Sequence, residues 1–314
     1  MTGRTALLLS GHTRSLDWTA ENLSELALRI GCDVFVHTWA ESEMKAPTWR
    51  TPENYGEVTG VNALLEHGIQ AKLIVREDSN PEAVVQLFGL HGVDIAVSAI
   101  KGCHYMLYGM WKAHELLERY AQQHKINYSK VVRYRFDLCC ADFDALVADL
   151  NFVQNNPKVL LAPSHNWARA LGASFDGVII AASPAYATFM RTLLSRFHSH
   201  HRKLLQRERF IPELLIFESA REIGLDVLPA SGEYSIVRAG GRTEQSFRHN
   251  VPSLMQKLRD NAAAYVVITE AGAAWEASYL YRQWKKHSSA VLRIFVVIAY
   301  RPFKRIKNLI TSRE

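Results

Sequence analysis

The chain has 314 residues, of which 48% are apolar, 22% charged and 10% aromatic. That is enough apolar chain for a large packed core and too ordinary a charge content for wholesale disorder. The formal charge of +6 sits at one end: residues 282–314 hold nine of the 37 Lys and Arg and one of the 31 acids, +8, leaving 28 bases and 30 acids, −2, for residues 1–281. A body without a basic surplus argues against nucleic-acid binding by the main domain.

Residues 5–10 (Thr-Ala-Leu-Leu-Leu-Ser) form an apolar run of strand length with no cleavage-like region after it, so they predict a buried first strand and no signal peptide. Gly11-His12-Thr13-Arg14 is the loop leaving that strand. Residues 22–30 have helical spacing and end at Gly31, and residues 33–38 predict a second strand. Strand, loop, helix, strand is the order a parallel sheet requires, and ligands of such sheets lie beyond the carboxyl ends of the strands. Ser10, Gly11, His12, Arg14 and His37 all fall there. Arg14 reads equally as a phosphate contact or as a solvated turn residue. His12 and His37 read as ligands or bases, or as hydrogen-bonded structural histidines. No G-x-G-x-x-G follows the first strand and no G-x-x-x-x-G-K-[ST] occurs, which excludes the dinucleotide fingerprint and disfavours a Walker-type site.

Residues 41–55 predict a surface excursion, 61–66 a short helix, 71–75 a third strand, and Asn80-Pro81 the start of another helix. Residues 89–99 fit no single element. From Tyr105 to Tyr120 apolar residues recur at intervals of three and four, a helix whose start, with Tyr105, faces the prospective site. After a polar turn comes Lys130-Val131-Val132-Arg133-Tyr134-Arg135-Phe136-Asp137-Leu138-Cys139-Cys140. Alternation puts Arg133, Arg135 and Asp137 on one strand face and Tyr134, Phe136 and Leu138 on the other. Charges at the end of a core strand require partners. Either Asp137 pairs with an arginine, or the group receives a phosphate-bearing ligand, with a divalent cation on the carboxylate. Asp142-Phe143-Asp144 has D-x-D spacing but opens a helix, where Asp is ordinarily a cap.

Residues 159–162 predict a strand, 164–169 a polar aromatic loop, and Asp176-Gly177 the entry to a further strand. Residues 184–197 are helical, and His198, His200 and His201 continue in a basic run without carboxylate or thiol company. Pro212-Glu213 opens another helix, residues 225–228 predict a last strand, and residues 231–250, with Arg238, Arg242 and Arg248, a mobile loop that could fold over a diphosphate or equally be a linker. Residues 251–265 and 272–286 have helical patterns. Residues 290–300 are apolar but for Arg293, too short a run for the ~20 residues that span a bilayer, and Lys285, Lys286, Arg301, Lys304, Arg305 and Lys307 flank them. That pattern fits an interfacial anchor on anionic lipid, or a packed helix with a basic outer face. The four cysteines lie in apolar segments and predict buried thiols.

Arg133-Tyr134-Arg135-Phe136-Asp137 after a strand resembles the R-x-R-x-D element of a group of bacterial envelope-polysaccharide glycosyltransferases, similar to GT-A-type enzymes, where it stands in place of D-x-D. Leu8-Leu9-Ser10-Gly11-His12-Thr13-Arg14, Asp33-Val34-Phe35-Val36-His37-Thr38-Trp39 and Tyr105-Met106-Leu107-Tyr108-Gly109-Met110 fit the same pattern in the same order. The resemblance implies an α/β, GT-A-like (Rossmann-type) fold: a mixed, mostly parallel sheet with helices on both faces over residues 1–250, then a helical basic segment over 251–314. It implies a nucleotide-sugar donor and a lipid-linked or oligosaccharide acceptor. Ser10, Gly11, His12, Arg14, His37, Tyr105, Arg133, Arg135 and Asp137 would face the donor, and Asp176 or Glu213 would be the base on the acceptor side. A manganese or magnesium ion on Asp137 is compatible with it, although Arg133 stands where D-x-D has its first acid. The implied location is the inner face of the cytoplasmic membrane, through residues 282–314. A non-catalytic membrane-associated subunit that keeps the fold is the alternative.

Overall fold

The computed structural model describes residues 3–13, 15–40, 60–90, 101–163, 177–205, 212–238, 241 and 243–247. The first strand, β1 (Arg4–Gly11), is followed by α1 (Leu16–Ile30), β2 (Cys32–Trp39), α2 (Asn62–Glu66), β3 (Ala71–Glu77) and α3 (Pro81–Phe88). The long helix α4 (Lys101–His124) leads into β4 (Tyr128–Tyr134) and the short β5 (Leu138–Cys140). Then come α5 (Phe143–Asn155), β6 (Val159–Ala162), β7 (Val178–Ala182), α6 (Ser183–Leu205), α7 (Pro212–Glu222), β8 (Asp226–Pro229), β9 (Tyr234–Val237) and β10 (Thr243–Phe247).

Seven strands form one sheet in the order β3-β2-β1-β4-β7-β6-β8, and β10-β9-β5 form a second, small sheet. In the large sheet β7 alone runs against its neighbours; β1, β2, β3 and β4 are mutually parallel. This is the expected Rossmann-like α/β fold, a mostly parallel sheet covered on both faces. Strand alternation sorts the core in two. Ala6, Leu8, Phe35, Val131 and Ile179 pack under α3, α4, α6 and α7. Leu7, Leu9, Val34, Val36, Val132 and Ile180 pack under α1, α2 and α5. Strands buried on both faces need near-continuous apolar sequence, which is why residues 5–10 and 131–132 read as they do.

The crossover from β1 to β2 uses α1 on one face, whereas the path from β3 to β4 uses α4 on the other. The order of strands therefore reverses between β1 and β4, and the crevice at their carboxyl ends is the topological switch point of the sheet.

Three expectations change. The first helix begins at Leu16, six residues before its apolar periodicity is clear. The 130–140 strand is two strands: β4 ends at Tyr134, and β5 pairs with β9 in the small sheet. The chain changes sheets at Arg135, Phe136 and Asp137. Residues 231–250, expected as a mobile loop, contain the antiparallel pair β9 and β10. Alternating Tyr234-Ser235-Ile236-Val237 buries Tyr234 and Ile236 in the core of the α1 face, and that burial fixes the hairpin. Residues 251–314, with the predicted helices and the basic tail, lie outside the described residues, as do 41–59 and 91–100. Among the described residues no helix is long and apolar enough to cross a membrane.

Candidate functional site

The carboxyl ends of β1 and β2 carry Ser10, Gly11, His37, Thr38 and Trp39 side by side, with Ser10 in register with His37. Gly11 has φ of 129°, a left-handed region that glycine enters at no steric cost, and its carbonyl accepts from Thr38 Oγ1 at 2.8 Å. Helix α4 crosses beneath at Gly109, where a Cβ would meet His37 Nδ1 at 3.4 Å and Ser10 Cβ at 3.7 Å. A glycine inside a helix costs about 1 kcal/mol relative to alanine, and at Gly109 the space toward the two strand ends would take a methyl group but nothing larger without displacement.

His37 is fully buried and its Nε2 lies 2.7 Å from Glu77 Oε1, at the end of β3. Burial pulls its pKa below the ordinary 6.5, against the opposing pull of Glu77. A neutral His37 then donates from Nε2 to the carboxylate and carries its lone pair on Nδ1. The Nδ1 atom and Ser10 Oγ are buried with no hydrogen-bond partner among the described residues. The Tyr108 hydroxyl also donates to Glu77, and its pKa is pushed up to about 12, by burial first and by Glu77 second. Trp39 stacks on Tyr108 at 5.5 Å and meets His37 and Tyr105 edge-on at 5.1 Å each; His12 lies 6.4 Å away. Edge-to-face and offset contacts are the favoured aromatic geometries. Tyr105, predicted to face the site, is buried as a wall of this aromatic group.

The second group lies where the chain changes sheets. Tyr134, Phe136, Leu138 and Cys140 go into the core beneath α1, as alternation predicts. Arg133 is buried on the opposite face, between Leu8 of β1 and Ile179 of β7 in the sheet register, and its charge is felt by the buried Tyr186 of α6. The Arg135 amide extends the ladder by donating to Gly177 O at 3.1 Å. Its guanidinium takes the Asp137 carboxylate in a two-toothed contact, Nε to Oδ1 at 2.8 Å and Nη2 to Oδ2. Arg238, at the end of β9, donates from Nη1 to the same Oδ2 at 3.0 Å, and Val237 N donates to Asp137 O at 2.8 Å. Asp137 and Arg238 are buried, while the Arg135 side chain keeps 19% of its surface. The pairing of Asp137 with arginine, one of the two readings of the sequence, is what the structure holds.

Helix α1 fixes this turn from the other side. Thr19 Oγ1 donates to Phe136 O at 2.5 Å. Asn22 accepts from Cys140 N at 2.7 Å and donates to Cys140 O at 2.8 Å, imitating a strand neighbour of β5. Ser231 N donates to the buried Asp149 of α5 at 2.7 Å, anchoring the approach to β9. Burial raises Asp149 to about 6.

A divalent cation on Asp137 does not fit these residues. Both of its carboxylate oxygens already accept from guanidinium groups, and among the described residues no three His, Cys, Asp or Glu gather in ligating geometry. Hard divalent ions require several oxygen ligands, and two neighbouring arginines repel them. At the D-x-D-spaced pair, Asp142 caps α5 as expected by accepting from Ala145 N at 2.9 Å, and Asp144 is exposed in its first turn.

The structure thus brings together Ser10, Gly11, His12, His37 and Tyr105 in one group and Arg135 and Asp137 in another, both at the carboxyl edge of the sheet, while Arg133 is buried within the sheet between Leu8 and Ile179. Arg14 and Asp176 lie outside the described residues, as does the side chain of Glu213, so the acceptor-side expectations stay where the sequence left them. Sequence reading passed over Glu77 and Tyr108 as site residues and placed Arg238 on a loop. The signal for Arg238 was present: a run alternating apolar and polar residues, then Gly240-Gly241, is a hairpin pattern. No protein-family model matches the chain, and no curated protein matches it either.

Proposed function

We propose that the protein is a glycosyltransferase that takes a sugar from a nucleotide-diphosphate donor and adds it to a growing cell-envelope glycan. The observation that carries this reading is the pairing of Arg135 and Arg238 with the single carboxylate of Asp137 at the switch point of a mostly parallel sheet. Two guanidinium charges against one carboxylate leave a surplus of +1 where such sheets bind ligands. In glycosyl transfer the leaving nucleotide diphosphate gains negative charge as the glycosidic bond to the donor breaks, so fixed cations at that point favour the transition state over the ground state. Arg135, the more accessible of the two arginines, would meet the phosphates. The resemblance around Arg133-Tyr134-Arg135-Phe136-Asp137 supports the same reading. Asp176 and Glu213 remain the candidate bases toward the acceptor hydroxyl.

A non-catalytic subunit is the competing reading, and the engagement of Asp137 in structural pairs favours it. A screen of nucleotide sugars by thermal stabilisation, followed by turnover of any donor that binds, separates the two. Binding of one donor with release of its nucleoside diphosphate upon acceptor addition supports the transferase. Binding without release supports the subunit, and stabilisation by no donor removes both. We further propose that residues 282–314, at +8, hold the protein on an anionic membrane surface. Co-sedimentation with phosphatidylglycerol vesicles that weakens when Lys304, Arg305 and Lys307 become Glu is the expected result; unchanged binding overturns it.

A further inference from the structure

The ion pairs of the Asp137 turn bear on how the proposed donor is held. Asp137 lies in the primary sequence where a carboxylate could serve a cation, but in three dimensions its charge is committed. Oδ1 accepts from Arg135 Nε, and Oδ2 accepts from both Arg135 Nη2 and Arg238 Nη1. A guanidinium has five N–H donors in a rigid plane. Asp137 takes the Nε–Nη2 side of Arg135, so the plane and direction of the remaining edge are set by the carboxylate. The carboxylate in turn is held by Arg238 and by the β9 backbone, through Val237 N to Asp137 O.

We infer that the site binds its diphosphate without a divalent cation, and that Asp137 and Arg238 are positioning residues that fix Arg135 for that contact. The inference rests on the reading of the site as one for a nucleoside diphosphate, and it adds two things. One is a role for Arg238, which approaches from a strand about 100 residues further along the chain (|i−j| of 101 to Asp137). The other is the replacement of the cation by the net charge of the arginine group. Fixing matters because an arginine loses rotamer freedom when it is immobilised, and the buried clamp meets that cost before the ligand arrives. Arg135 is suited to the contact and Arg238 is not, since 19% of the Arg135 side-chain surface is accessible against 4% for Arg238.

The roles predict opposite responses to lysine. Arg135 meets phosphate through a planar edge, so lysine should not replace it. Arg238 has to neutralise and hold a carboxylate through one Nη atom, so lysine should replace it in large part.

Titration calorimetry of the full-length protein with UDP, GDP, CDP, dTDP and inorganic pyrophosphate, in EDTA and again in excess manganese, provides the test. At least one diphosphate should bind in EDTA, with manganese changing its Kd by less than about twofold. Arg135→Lys and Arg238→Gln should each weaken that binding about tenfold, about 1.4 kcal/mol, and Arg238→Lys should restore most of it. Thermal melts show which variants are folded; if Arg238→Gln is not, the contrast between Arg135→Lys and Arg238→Lys decides. Binding that requires manganese and disappears in Asp137→Asn overturns the inference alone and makes Asp137 a metal ligand. Wild-type affinity in every folded arginine variant also overturns it, leaving the clamp a purely structural feature. Failure of all the diphosphates to bind under either condition overturns the reading of the site and this inference together.

Discussion

Two buried polar groups stand at the same edge of the sheet and meet the problem of burial differently. Around Asp137 every charge is kept and paired, carboxylate against two guanidinium groups. Around His37 the charge is given up: burial lowers the imidazole pKa, and a neutral ring hydrogen-bonds Glu77 within an aromatic surround. The first solution resists loss of either partner and leaves a cationic surplus. The second is cheaper to maintain and leaves the Glu77 carboxylate as its one charge. An anionic ligand distinguishes them, so the proposed phosphate contact belongs to the first group, and the second reads as the scaffold that holds β1, β2 and α4 together.

The largest expected effect tests that contrast directly. Asp137→Ala leaves Arg238 buried without its carboxylate and should cost about 3–5 kcal/mol, the range for breaking a buried ion pair. Glu77→Gln keeps an oxygen acceptor for a neutral His37 and should cost about 1 kcal/mol, as for one ordinary hydrogen bond. Urea unfolding measures both. Equal losses would mean that His37 is charged in the folded protein or that the Asp137 pairs contribute little.

A smaller effect concerns the packing of the second group. The Cβ of Gly109→Ala would sit at ordinary contact distance, 3.4 Å, from His37 Nδ1. The helix should therefore gain up to about 1 kcal/mol. Gly109→Leu cannot be accommodated between α4 and the strand ends and should lose about 1–3 kcal/mol by overpacking. A reversal of sign between the two variants, read from thermal melts, is the expected outcome; a loss in both would show that no methyl fits beside Ser10 and His37.

The smallest effect is in the pH dependence. His37 and His114 both have pKa values lowered by burial, so the unfolded chain binds their protons more tightly. The stability they contribute is complete above 6.5 and is lost as pH falls below it toward the folded values. Asp149 has the opposite sign. Its pKa rises from 3.8 to about 6, so its contribution is complete below 3.8 and is lost as pH rises through 6. His37→Gln should flatten the loss of stability just below pH 6.5 in part, with His114 remaining. Asp149→Asn should steepen the net loss toward acid by removing the opposing term. Denaturant midpoints measured across this range, if unchanged by both variants, would place both groups at their ordinary pKa values.

Much of the architecture was legible locally. The apolar runs of β1 and β4, the spacing along α4 and the Asn80-Pro81 start of α3 follow from periodicity and capping, which act over a few residues. Alternation through residues 133–138 also held, with Tyr134, Phe136 and Leu138 in one core. What alternation missed was the end of the strand at Tyr134 and the move of β5 to another sheet, because that depends on Asn22 and β9, which are distant in sequence.

By itself, then, the sequence determined an α/β chain with a parallel sheet, the choice of Arg133, Arg135 and Asp137 as a charged group needing partners, and the separation of a −2 body from a +8 tail. These follow from local pattern, composition and the cost of burying charge. Only the tertiary structure decided which partners satisfied that charge. Arg238 lies 101 positions from Asp137 and Glu77 lies 40 from His37. No local rule links such residues: their pairing is set by the order of strands in two sheets and by which ends those strands bring together.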